Sequence, residues 1–277
     1  MRPLILALVG LLASAAVSAQ APTAFDSSKA WEHLRQQVAI GPRPSGSAGN
    51  LKNREYITKT LAAIGLKTVE QAWEAMTPLG PIKMVNLIAT IPSRRPERII
   101  LASHFDTKLF REFRFVGASD GASSTATLLE LARVLKARPQ LPFTIELLFL
   151  DGEEATGEWR DPDHTYGSRH YVEVARQTGT LKSLKAMILL DMVGDRQLNI
   201  RRESTSTPWL TDIIWNTARR LGAEQSLQRG KTKPALWRVD QSVQNSAPGS
   251  PSKIQRQRPD VRRHCRVRDC GALCPPL

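Results

Sequence analysis

Residues 101–154 decide how this chain is read. They carry Ser103-His104-Phe105-Asp106, then Gly117-Ala118-Ser119-Asp120-Gly121, then Phe149-Leu150-Asp151-Gly152-Glu153-Glu154. Each polar cluster closes an apolar run or opens a helical one. That layout suits a metal site at the carboxyl edge of a parallel sheet, because ligands of an open α/β sheet bind outside the strand ends.

Working outward, strands are expected at 67–73, 84–91, 99–103, 143–150 and 186–190. The run at 143–150 is apolar except for Thr144 and Glu146, as in a strand buried on both faces. A helix capped by Asp26 or Ser27 is expected to reach about 39, with Trp31, Leu34 and Val38 on one face. A second helix at 48–64 carries Leu51, Tyr56, Ile57, Leu61 and Ile64, and Gly65 ends it. Further helices are expected at 122–136 and 166–176. A last one at 208–221 points Leu210, Ile213, Ile214, Thr217 and Leu221 inward. Strands therefore alternate with helices. The expected fold is α/β and three-layered: a mainly parallel twisted sheet with helices on both faces.

The right-handed crossover rule places successive strand ends along one edge. His104, Asp106, Asp120, Glu153, Glu154 and Asp191 all fall on that edge or in loops leaving it. Carboxylates gathered so closely repel unless a cation offsets them. His104 and Asp106, two apart, point the same way from an extended strand end. Zinc takes histidine nitrogen and carboxylate oxygen. Adjacent Glu153 and Glu154 point apart, so one can hold metal while the other moves a proton. Taken singly, a His-x-Asp is an ordinary surface pair and a Glu-Glu an ordinary solvated face. Their joint placement on one edge is what points to catalysis.

Composition narrows the rest. Hydrophobic residues make up 41% and charged residues 23% of the 277, as in soluble globular proteins. The net charge of +13 raises the question of nucleic acid. No basic helix with interleaved aromatics accompanies it, so a basic solvated surface is expected and no nucleic-acid partner. Residues 1–19 read as a secretory signal: Arg2, the apolar run 4–12, and Val17-Ser18-Ala19 before the cut. The apolar run is short of the roughly 20 residues that span a bilayer. The mature chain is therefore expected to be exported, periplasmic or secreted, without stable membrane insertion.

The motif order is similar to that of the zinc-dependent aminopeptidase superfamily, which includes the glutaminyl-peptide cyclotransferases. The segments 102–108, 115–120, 151–154, 166–170 and 189–194 carry the resemblance, with Trp159 in the loop after the glutamate pair. It implies zinc as cofactor and Asp120 and Glu154 as ligands, with His104 beside the metal. It also implies Glu153 as general acid/base, Asp191 as a supporting hydrogen-bond partner and Trp159 in the substrate pocket. In a two-zinc aminopeptidase, His104 and Asp191 would instead hold a second zinc, bridged by Asp120. The implied reaction is cyclisation of N-terminal glutamine to pyroglutamate with loss of ammonia. The implied partners are peptides or proteins beginning with glutamine, acted on by a monomer. Hydrolysis of N-terminal residues, and an inactive remnant, are the alternatives.

The end of the chain departs from that pattern. Residues 239–277 lack helical or strand periodicity and hold all three cysteines, Cys265, Cys270 and Cys274. The composition is that of a disordered or frameshifted tail after a catalytic domain over 20–238. The closing histidine ligand of the family has no match, since His264 stands between Arg263 and Cys265. Weakened zinc affinity and an incomplete C-terminal part of the fold are expected.

Overall fold

The computed structural model describes residues 24–203 and 205–223, and the backbone of 227–232 and 239–240. The signal segment 1–19 and the tail beyond 240, with His264 and the cysteines, lie outside the described residues.

Helix α1 (Ser27–Ile40) starts where Asp26 accepts the N–H of Ser28 at 2.9 Å, and α2 (Ala48–Ala63) where Ser47 accepts that of Asn50 at 3.1 Å. Both caps satisfy amides that the first helical turn leaves unpaired. Strands β1 (Thr68–Thr77) and β2 (Gly80–Ile91) form an antiparallel hairpin. Then come β3 (Arg98–His104), α3 (Ser124–Lys136), β4 (Thr144–Leu150), α4 (Tyr166–Gln177) and β5 (Leu184–Leu189). Beyond them lie β6 (Ile200–Glu203), α5 (Pro208–Arg220), β7 (Leu227–Thr232) and the short β8 (Val239–Asp240).

The main sheet has the order β1-β2-β4-β3-β5-β8. Its centre is parallel: β3 pairs in parallel with both β4 and β5. The pairs β1–β2, β2–β4 and β5–β8 are antiparallel, so the sheet is mixed, with the parallel strands where the site lies. The pleat sends alternate side chains to opposite layers. From β4, Ile145, Leu147 and Phe149 pack with Ile57 and Leu61 of α2 and Leu128, Leu129 and Ala132 of α3. Leu148 and Leu150 pack on the other face with Tyr171 and Ala175 of α4. Each such side chain removed from water is worth about 1.5–3 kcal/mol. That two-faced burial is why the run 143–150 reads as continuous apolar sequence.

Three helix faces differ from expectation. In α1, Trp31 is exposed and Gln37 is the buried residue. The Gln37 amide donates to the carbonyls of His33 and Ala122, both at 3.2 Å, so a hydrogen-bonded polar group holds the inward stripe. In α5, Leu210, Thr211 and Trp215 are buried, while Ile213 and, just past the helix end, Leu221 are exposed. Trp215 packs with Ala186 of β5 and turns the helix so that Ile213 faces outward. In α2, Leu51 is likewise exposed, its turn being anchored by buried Asn50 and Asn53.

Candidate metal centre

The parallel centre brings the carboxyl ends of β3, β4 and β5 together, and the sequence-predicted residues leave from them. His104 is the last residue of β3 and is buried. Its Nε2 lies 3.1 Å from Asp120 Oδ1 and 3.3 Å from Asp191 Oδ1, and its Nδ1 lies 3.4 Å from Asp106 Oδ1. One imidazole thus faces carboxylates delivered by three separate segments.

Asp120 reaches this place through a distorted turn. Residues Ala118–Ser123 precede α3, but Asp120 is extended (φ −84°, ψ 111°) and Gly121 is left-handed (φ +83°). A Cβ at Gly121 would stand 2.8 Å from the Asp106 carbonyl oxygen and 3.2 Å from His104 Cε1. Only glycine lets the chain pass so close to the site.

Asp106 is buried. Its carboxylate accepts the backbone N–H of Glu153 at 3.2 Å and of Glu154 at 3.1 Å. The glutamate pair is therefore held by its backbone, leaving both side chains free to face the cluster. Burial pushes the Glu153 carboxyl up to about 8; Asp191, Asp120 and Asp106 add to the rise, and His104 opposes it. Burial, then Asp120 and Glu153, raise Glu154 well above the ordinary range. Burial would lower His104, but Asp106, Asp120 and Asp191 outweigh it and hold the imidazole well above its usual value. A proton on His104 and a metal ion beside its Nε2 answer the same excess of negative charge.

Among the described residues, His104, Asp120 and Asp191 form the group able to hold a metal, with ligand atoms all within 4.8 Å of one another. One imidazole nitrogen and two carboxylate oxygens are a donor set that fits zinc. Glu154 feels Asp120 electrostatically but stands outside that group.

Trp159 lies in the loop 155–165, stacked on buried His164 with centroids 4.8 Å apart and planes 6° from parallel. Asp163 braces this loop, accepting Thr156 N and Oγ1 at 2.9 Å, Gly157 N at 2.6 Å and the Tyr166 hydroxyl at 2.8 Å. Lys108 reaches across from the β3 side and donates to the carbonyls of Ala155 and Gly157. His170, in the segment 166–170, stacks on Trp73 of β1 at 4.3 Å and takes no part in the cluster.

Sequence reading gave no role to Arg43, Lys108, Asp151 and Asp163, whose hydrogen bonds brace the segments around the site. Buried Asp151 accepts Ser45 Oγ at 2.7 Å, Asn50 Nδ2 at 2.9 Å and Val85 N at 3.0 Å. Its position beside the glutamate pair was the available signal.

The family model of peptidase family M28 matches residues 86–243. A glutaminyl-peptide cyclotransferase-like protein of Mus musculus is 35% identical over 185 residues, covering 61% of this chain and 48% of that protein. The chain spans about half the length of such curated relatives. Among solved structures, an Acidobacteriales bacterium glutaminyl cyclase matches with TM-score 0.74 at 37% identity, covering 79% of this chain and 76% of that one. The Porphyromonas gingivalis glutaminyl cyclase matches with TM-score 0.70 at 29% identity, covering 76% of each chain.

Proposed function

The chain belongs to peptidase family M28 and to the glutaminyl cyclase group that shares its zinc aminopeptidase-like fold, and we propose that it cyclises N-terminal glutamine of peptides or proteins to pyroglutamate, releasing ammonia. The observation that carries this is the gathering of His104, Asp120 and Asp191 with ligand atoms within 4.8 Å of one another, with Glu153 held next to them by its backbone on Asp106; burial also raises the Glu153 carboxyl. A proton shuttle works best with a pKa near the operating pH.

Asp120 and Glu154, with His104 adjacent, are the residues proposed to hold zinc. When bound, zinc would polarise the γ-amide carbonyl of the glutamine as a Lewis acid. The substrate's own α-amine forms the new C–N bond at that carbon, and the bond to the amide nitrogen breaks. Both groups sit in one residue, which supplies the proximity gain, so no protein nucleophile is required. Glu153 accepts the proton from the amine and returns it to the departing ammonia. Asp191 supports the site by hydrogen bonding, and Trp159 walls the pocket through its braced loop.

A second reading has its own support. His104, Asp120 and Asp191, which would hold a second zinc in a two-zinc aminopeptidase, are gathered with ligand atoms within 4.8 Å of one another. Glu153 would then activate a water that cuts the first peptide bond. Incubating the full chain and zinc with Gln-initiated and Leu-initiated peptides separates the two. Ammonia release without shortening of the Gln peptide is the expected result, and release of free leucine would replace cyclisation by hydrolysis.

The proposed organisation is a leader at 1–19, a catalytic domain over 20–238 and an atypical tail at 239–277. The composition of 1–19 supports export, and among the described residues no helix is long and apolar enough to cross a membrane. A monomer acting on peptides is the proposed working state.

A further inference from the structure

Arg43 is wholly buried, and its guanidinium donates to five backbone carbonyls. These are Gln37 at 3.1 Å, Gly41 at 2.8 Å, Phe105 at 3.3 Å, Val116 at 2.8 Å and Gly117 at 3.4 Å. All five acceptors are neutral. Burial lowers the guanidinium to about 10 while Asp106 and Asp120 oppose that fall, so it stays charged at neutral pH. Buried charges are usually paired with an opposite charge in direct contact. Here the answering charges are the site carboxylates, acting at longer range.

Three of the acceptors, Phe105, Val116 and Gly117, mark where the site's segments begin. Phe105 lies between His104 and Asp106, and Val116-Gly117 leads into Asp120. The Arg43 N–H also donates to Thr107 Oγ1 at 2.9 Å, and its carbonyl accepts the Thr107 N–H at 3.2 Å. At Gly117 (φ +51°) an added Cβ would stand 2.5 Å from the Asp120 carbonyl oxygen and 3.6 Å from Arg43 Nη2. The same loop offers Ser45, and the first turn of α2 offers Asn50, to Asp151, just ahead of the glutamate pair. One loop therefore grips every segment that feeds the cluster from β3 and β4.

We propose that Arg43 is a positioning residue of the candidate metal centre: it fixes the backbone around Asp106 and ahead of Asp120, and its permanent charge offsets their carboxylates. This rests on the cluster being a metal centre. Lysine cannot replace it, because an ammonium offers three donors from one point whereas the guanidinium offers five in a planar fork.

The test compares the full chain with Arg43→Lys, and with Glu146→Gln as a control for general destabilisation. Glu146 accepts from Arg98 and Tyr171 on the α4 face, away from the cluster. Two quantities are read: amide hydrogen exchange of the metal-free protein, and zinc affinity by chelator competition. R43K should lose protection at 105–107, 117–122 and 153–154 while β2 and β4 keep theirs. Its zinc Kd should rise roughly 10- to 100-fold, the range for residues that orient metal ligands. E146Q should lower the melting temperature without either effect. Unchanged exchange at those three segments in R43K overturns the proposal. If R43K does not fold, Thr107→Val decides, since it removes one contact of the same loop: local loosening supports the proposal and unchanged exchange overturns it. A wild-type chain that binds no zinc would sink the metal reading, while exchange still decides the role of Arg43.

Discussion

The Asp106 carboxylate grips the backbone of Glu153, accepting its N–H at 3.2 Å across 47 residues of chain. The second oxygen accepts Glu154 N–H at 3.1 Å. The acid/base candidate in the loop after β4 is thus aimed by a residue that follows β3. Replacing Asp106 by Asn puts an NH2 donor against one of these N–H groups. D106N should stay folded while zinc affinity or kcat falls roughly 10- to 100-fold. Circular dichroism together with zinc titration and ammonia release checks this.

Glu153 is assigned a proton and not a structural bond. Glu153→Gln should retain zinc binding and lower kcat/KM by about 10²- to 10⁴-fold, the usual contribution of a general base. The active form is ionised, so activity should rise with pH through an acid limb belonging to Glu153. Asp191 helps raise this carboxyl, after burial and against His104. Asp191→Asn should therefore move the acid limb to lower pH, read from kcat/KM profiles.

Charge crowding makes the metal-free protein sensitive to alkali. Burial and neighbouring carboxylates raise Glu153 to about 8 and raise Glu154 and Asp191, and the surrounding carboxylates raise His104. For a group whose pKa is raised on folding, the folded state binds the proton more tightly than the unfolded state. Its stabilisation is full below the unfolded pKa and is lost as pH rises through the folded one. Melting temperature with a chelator should fall between about pH 5 and pH 8. Added zinc should flatten that slope, because it replaces the protons as the balancing charge.

Gly121 has no room for a side chain. Gly121→Ala forces a Cβ to within 2.8 Å of the Asp106 carbonyl oxygen in a left-handed conformation. It should destabilise by more than about 1 kcal/mol and displace Asp120. Denaturant unfolding and zinc titration of the same variant should both register the change.

Trp159 tests the pocket separately from the chemistry. Trp159→Ala removes the stack on His164 and one wall of the proposed pocket. KM for a Gln-initiated peptide should rise several-fold with a smaller change in kcat, the signature of lost binding common to ground and transition states.

Much of the fold was legible because its signals are local. The caps Asp26 and Ser47 bond amides two or three residues away, so they can be read from a short window. The apolar run ending at Leu150 is long because β4 is buried on both faces. The antiparallel hairpin at the sheet edge and the outward turn of Ile213 were not legible. Register and helix rotation depend on which distant residue arrives opposite: Thr68 against Ala89, and Trp215 against Ala186.

By itself, the sequence determined which residue types stand at the ends of the central strands, and hence that a cluster of one imidazole and several carboxylates would form there. Side-chain chemistry and strand order are written in short segments, and the parallel rule brings their ends together. Only the tertiary structure decided how that cluster is held. Arg43 bonds to carbonyls 62 to 74 residues away, and Asp106 holds amides 47 and 48 residues on. Such contacts leave no periodicity in the chain, because a hydrogen bond to backbone can be made to any residue type. Likewise, Asp191 joins His104 and Asp120 within 4.8 Å only because β5 lies beside β3, a neighbour relation fixed by the folded sheet.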